Sequence, residues 1–95
     1  MSVKQILEDV EKELVKAKNK FPYWPDDPLH ASAIIAEEVG EFHKEVLQWT
    51  YEPDKTNYEN IRKEAIQSIA MLIRFIDSLD KDDYYWKLSD QHKQK

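Results

Sequence analysis

Apolar residues recur at helical spacing in three stretches of this chain. The first stripe is Val3, Ile6, Leu7, Val10, Leu14 and Ala17, with Lys and Glu filling the other faces and Ser2 standing where an N-cap belongs. The stripe ends at Asn19-Lys20. Phe21-Pro22-Tyr23-Trp24-Pro25-Asp26-Asp27-Pro28 follows, too rich in proline to continue a helix, and is expected to be an ordered aromatic loop. A second helix is expected from Pro28 or Leu29, capped by Asp27, to about Thr50, with Ile35, Val39, Phe42, Val46 and Trp49 on one face. Tyr51-Glu52-Pro53-Asp54 breaks it. The third helix is expected to begin around Asp54 to Asn57 and to reach about Leu79. From Ile66 to Ile76, eight of eleven residues are apolar and point nearly all round the helix. A helix apolar on every side must be buried on every side, and so short a chain has few other elements to cover it, so a second subunit is expected. Residues 82–88 fit a short helix packing its aromatics down, and residues 91–95 a frayed tail. The fold class expected is all-α, a helical bundle of three main helices plus a short C-terminal helix, completed by homo-oligomerisation.

Composition narrows the function classes. At 95 residues the chain is expected to be one domain, 1–95, able to bury roughly 60–70% of its unfolded surface. The absence of cysteine excludes disulfides, thiolate catalysis and Cys-based zinc sites. A single glycine, Gly40, cannot write a phosphate-binding loop or a dinucleotide fingerprint. No run approaches ~18 consecutive apolar residues, so no membrane span is expected. The N-terminus lacks a signal-peptide core, and a cytoplasmic protein is expected. With 19 acidic residues against 14 basic ones, the net charge of −5 argues against nucleic acid as a partner, because phosphate neutralisation supplies most of that affinity.

The acids themselves are patterned. Glu37, Glu38, Glu41 and Glu45 lie within roughly 100° of arc on the second helix. Like charges at this spacing destabilise a helix by ~0.2–0.5 kcal/mol per pair, which suggests a cation, although Lys44 relieves part of the repulsion. Magnesium suits such a site, being hard and content with a few carboxylates plus waters and phosphates. A solvated acidic face has the same spacing. On the third helix Glu64, Gln67 and Ser68, with Asn57 and Asn60 earlier, make a polar strip on an otherwise apolar element. A buried carboxylate needs a partner or a metal, so two acids on one helix facing a Glu-x-x-Gln on the next would enclose a metal between them. A hydrogen-bonded strip at a subunit seam also accounts for it.

Ala36-Glu37-Glu38-Val39-Gly40-Glu41, followed further along by Glu64-Ala65-Ile66-Gln67, resembles the MazG-like, all-α nucleoside triphosphate pyrophosphohydrolases, whose pattern is E-E-x-x-E and then E-x-x-D. The resemblance spans roughly residues 29–79, including a preceding helix and a helix-breaking loop. It implies that Glu38, Glu41, Glu64 and position 67 coordinate Mg2+, with Glu37 supporting the site or activating water. Either Glu37 or Glu38 would then be the base. The substrate implied is a (deoxy)nucleoside triphosphate, cleaved between the α and β phosphates to monophosphate and pyrophosphate. The implied assembly is a dimer or tetramer. Gly40 between the acids is expected to mark a close approach of helices. The final Asp of the pattern is Gln67 in this chain, which keeps a carbonyl oxygen but brings no charge. The competing expectation is therefore a weakened or inactive helical bundle that binds nucleotide or a protein partner.

Other residues are candidates for substrate contact. Trp24 and Tyr23 would stack on a base or close the end of the core. His30 falls on the acidic side of the second helix, where it would touch phosphate or sit as a first-turn surface residue. Lys44, Arg62, Lys63 and Arg74 are candidates to grip phosphates. Arg74 interrupts the apolar run and must find a partner, which a buried ion pair would equally provide. His43 points away from the acids, and no Glu-x-x-His occurs, which argues against a ferritin-like di-iron site.

Overall fold

A computed structural model describes residues 2–81, 83 and 84. The described residues form three helices, α1 (Val3–Lys20), α2 (Pro28–Tyr51) and α3 (Tyr58–Asp80), with one 3-10 turn, Pro53–Lys55, between the last two. No strand occurs among the described residues. Most of the helix expected over 82–88, and the tail at 91–95, lie outside the described residues, while Asp83 and Tyr84 form a turn. Among the described residues no helix is long and apolar enough to cross a membrane.

Each helix starts at a residue whose short side chain satisfies an orphan amide. Ser2 Oγ accepts from the Gln5 amide at 3.2 Å, Asp27 Oδ1 from Leu29 at 2.9 Å, and Asn57 Oδ1 from Asn60 at 2.9 Å. Pro28 opens α2, where its missing N–H costs nothing. Prolines also end the helices. α1 stops one residue before the Phe21-Pro22 pair, and α2 stops just short of Pro53, as the steric demand of a following proline requires.

α3 is the centre of the fold. It packs against both α1 and α2, and among the described residues those two do not pack against each other. Three contacts set the alignment of α1 and α3. Arg62 Nη2 donates to Asp9 Oδ2 at 2.7 Å, Gln67 Nε2 to Glu13 Oε1 at 3.5 Å, and Arg74 Nη2 to the Phe21 carbonyl at 2.9 Å. The nearly constant offset means that the two helices run parallel. α2 returns in the opposite sense, tied to the start of α3 by a hydrogen bond from the Thr56 hydroxyl to Glu45. The result is an open V of two helices on a third, with a trough between the arms.

The core is thin. Val10, Ala31, Ile66, Ala70 and Tyr84 are its buried apolar residues, and Ser68, Arg74 and Ser78 are buried with them. Of the expected α2 face, Ile35, Phe42 and Val46 are half-buried against the fold, while Val39 and Trp49 are exposed. On α1, Val3 and Leu7 remain exposed too. Among the described residues α3 is not covered on every side. Ile69 (38% exposed), Leu72 (44%), Ile76 (52%) and Leu79 (41%) lie open and recur at alternating three- and four-residue steps. That is the heptad spacing of a helix seam. Gly40 is a correction. It is exposed, and a Cβ built on it meets nothing within 4 Å, so helices of the same chain do not approach closely there.

Candidate functional site

The trough between α1 and α2, floored by α3, forms a cleft of about 530 Å3. That falls in the range of small-molecule sites, ≈ 300–1,000 Å3. Glu13, Lys16, Ala17 and Lys20 line it from α1, His30, Ile34 and Glu38 from α2, and Lys63, Gln67, Met71 and Arg74 from α3. The loop residues Phe21, Tyr23, Trp24 and Pro25 close one end. An acidic, amide-bearing end thus passes into an aromatic end.

The aromatic end is built around Arg74. Its guanidinium carbon lies 4.9 Å from the centroid of Trp24, and its Nη2 reaches the Phe21 carbonyl. Trp24 Nε1 in turn donates to the Tyr84 hydroxyl at 2.8 Å, and Tyr84 packs on Phe75 with ring centroids 5.3 Å apart. Among the described residues the partner that an arginine inside an apolar run demands is therefore a carbonyl and an indole face, not a carboxylate. Burial lowers the Arg74 pKa from its ordinary value, and the cation–π contact offsets part of that desolvation. This network folds the proline-rich loop back onto the second half of α3.

At the acidic end, Glu38 and Glu64 approach from opposite helices. Burial raises the Glu38 pKa, and the charges of Glu64, Glu37, Glu41 and Glu13 raise it further. Burial also raises Glu64, with Glu41 and Glu45 adding to the effect and Lys63 opposing it. These are carboxylates held together against their own repulsion, the condition that a proton or a cation relieves. Glu37 and Glu41 are exposed on α2, and Glu45 is held by Thr56. Among the described residues no three carboxylate or imidazole groups converge closely enough to ligate one ion as they stand.

The predicted site residues divide accordingly. Trp24, His30, Glu38, Gln67 and Arg74 line one cleft, and Glu64 and Glu41 act electrostatically on its acidic end. Lys44 is exposed on α2 and does not line the cleft. The sequence reasoning missed α1 entirely. Glu13, Lys16, Ala17 and Lys20 fall on one side of that helix at helical spacing, which was the available signal, but a mixed polar face beside an apolar stripe reads equally as solvated. Comparison of the chain with family models, curated proteins and solved structures found no match.

Proposed function

We propose that the protein is a Mg2+-dependent nucleotide pyrophosphohydrolase of the MazG-like kind, cleaving a (deoxy)nucleoside triphosphate between its α and β phosphates to monophosphate and pyrophosphate. The observation that carries this reading is the cleft itself, which holds Glu38 and Gln67 at one end and an aromatic wall at the other, with the charge of Glu64 acting on Glu38 from α3. A polyphosphate with a planar base matches both ends.

The donor types suit magnesium, but their placement does not yet form a site. Glu38, Glu41 and Glu64 would offer hard carboxylate oxygens and Gln67 a carbonyl oxygen, three charges in place of the four of an all-acid site, and Mg2+ would have to draw together carboxylates that do not converge as they stand. When bound, Mg2+ screens the phosphates and polarises water. The chain's own groups do the rest. Glu37 or Glu38 would take the proton of the attacking water. Ile34 and Met71 form an apolar wall, Trp24 a flat one, and His30 stands on the same side of α2 as Glu38. Arg74 holds the loop that closes this end, so its contribution to substrate binding is to fix Trp24 in place.

Self-association into a dimer or tetramer belongs to the same proposal. The heptad-spaced seam on α3 supports it, since exposed apolar residues in that register are what a second copy's helix covers. The alternative, a bundle that binds nucleotide without turnover, draws on Gln67, whose amide nitrogen is engaged by Glu13. Product analysis separates the two. Incubation with a panel of nucleoside triphosphates, resolved by ion exchange, is expected to give monophosphate and pyrophosphate in equal amounts. Recovery of unchanged triphosphate, or of diphosphate and orthophosphate, contradicts the proposal.

A further inference from the structure

We propose that α1 carries the polyphosphate clamp of the cleft, formed by Lys16 and Lys20, with Lys63 of α3 on the same cleft toward its acidic end. The ligand then lies along α1 with its phosphates toward Glu38 and its base toward Trp24. This assignment rests on the nucleotide reading above and adds the residues that grip the ligand and the direction in which it lies. Nothing in the E-E-x-x-E pattern assigns a role to the first helix.

Three observations carry it. The parallel alignment of α1 with α3 brings Glu13, Lys16 and Lys20 onto the cleft at successive turns, and at about 1.5 Å per residue they span roughly 10 Å. The two cations of the row, Lys16 and Lys20, stand about 6 Å apart along the axis, a spacing that reaches neighbouring phosphates of one chain. The lining of the cleft holds four cations, Lys16, Lys20, Lys63 and Arg74, against two carboxylates, Glu13 and Glu38, whereas the whole chain has a net charge of −5. Glu41 and Glu64 add negative charge at the Glu38 end, so the excess of cations lies along Lys16 and Lys20 toward the aromatic end, and it is there that anions are attracted. Finally, among the described residues none of the three lysines forms an ion pair, Lys20 resting 5.5 Å from the centroid of Phe21 at the aromatic end and Lys63 acting on Glu64 through its charge alone. Arg74, by contrast, is already held by the loop. Glu13 marks the metal-facing end of the row, because its charge acts on Glu38 and its Oε1 accepts from Gln67.

The test is calorimetric titration, in Mg2+, with a nucleoside triphosphate whose α–β bridging oxygen is replaced by a methylene, beside the matching monophosphate. The lysines are exposed, so K16Q/K20Q is expected to fold as wild type, which circular dichroism checks. It is expected to bind the triphosphate analogue about tenfold or more weakly, while the monophosphate changes by less than about threefold. Salt dependence of triphosphate binding is expected to flatten in the same variant, and K16R/K20R to restore affinity. Wild-type affinity in K16Q/K20Q, or an equal loss for both ligands, overturns the clamp and leaves the nucleotide reading standing. Failure of the wild-type protein to bind the triphosphate at all overturns both.

Discussion

Glu38→Gln and Glu64→Gln should each make the protein more stable in chelator and less responsive to magnesium. The neutral amide keeps the shape of the side chain and removes its charge. Glu38 faces four other carboxylates, Glu64, Glu37, Glu41 and Glu13, and burial adds to their effect. Like-charge pairs at helix-surface range cost ~0.2–0.5 kcal/mol each, and both side chains are partly solvated, so screening trims the sum to ~0.5–1 kcal/mol. For a domain of this size, 1 kcal/mol moves Tm by about 4–8 °C, which puts the expected gain at about 2–8 °C. Magnesium acts in the opposite sense. With a dissociation constant on the order of 1 mM, as three carboxylates and an amide suggest, about 10 mM Mg2+ stabilises wild type by roughly 1.4 kcal/mol. The assay is thermal melting followed at 222 nm, in EDTA and in Mg2+, at one fixed protein concentration because an oligomer's Tm depends on it. The variants should melt above wild type in EDTA and lose most of the Mg2+ shift. A variant that melts at or below wild type in EDTA refutes the repulsion argument, and one that keeps the full Mg2+ shift refutes the metal assignment.

Three further expectations follow from other parts of the structure. Because Glu38 and Glu64 have folded-state pKa values above their ordinary 4.5, their contribution to stability is fully present below that value and lost as pH rises through the raised values. In EDTA, Tm should therefore climb as pH falls through the raised values toward 4.5, with a flatter profile in the Glu38→Gln/Glu64→Gln double variant, and an unchanged profile there contradicts the assignment. Asp9 and Asp77, held below their ordinary 3.8 by Arg62 and Lys81, act with the opposite sign, their contribution being lost only at still lower pH. Arg74→Leu removes both the hydrogen bond to the Phe21 carbonyl and the contact on Trp24, and should destabilise by about 2–4 kcal/mol in urea titrations; a loss under about 0.5 kcal/mol means the loop is held by something else. Leu72→Glu/Ile76→Glu places charge in the α3 seam and should convert an oligomer to monomer in light scattering coupled to gel filtration, while an unchanged mass shows that a different surface associates.

The helices were legible in the sequence because the signals that make them are local. Ser2, Asp27 and Asn57 cap them as side-chain chemistry requires, and Pro22 and Pro53 stop them for steric reasons. The acidic end of the cleft was legible in part, since Glu38 and Glu41 share a helix face by periodicity alone, and Glu64 had to find company once α3 was read as buried. What lies between helices was not legible. Helical period says which residues share a face, not which face meets which, so the parallel alignment that sets Glu13 beside Gln67 and Phe21 beside Arg74 had no local signature. The same limit explains Lys44, which is close to the acids in sequence but stands outside the cleft lining, and Gly40, whose open surroundings contradict the expected close approach.

Pyrophosphate release from a panel of ribo- and deoxynucleoside triphosphates, measured for wild type and Glu64→Gln in Mg2+ and again in EDTA, tests the central claim most directly. The account predicts release by wild type in Mg2+ from at least one member of the panel, abolished by EDTA and by the substitution. Release that persists in EDTA or in Glu64→Gln, or no release from a folded wild-type protein, contradicts it.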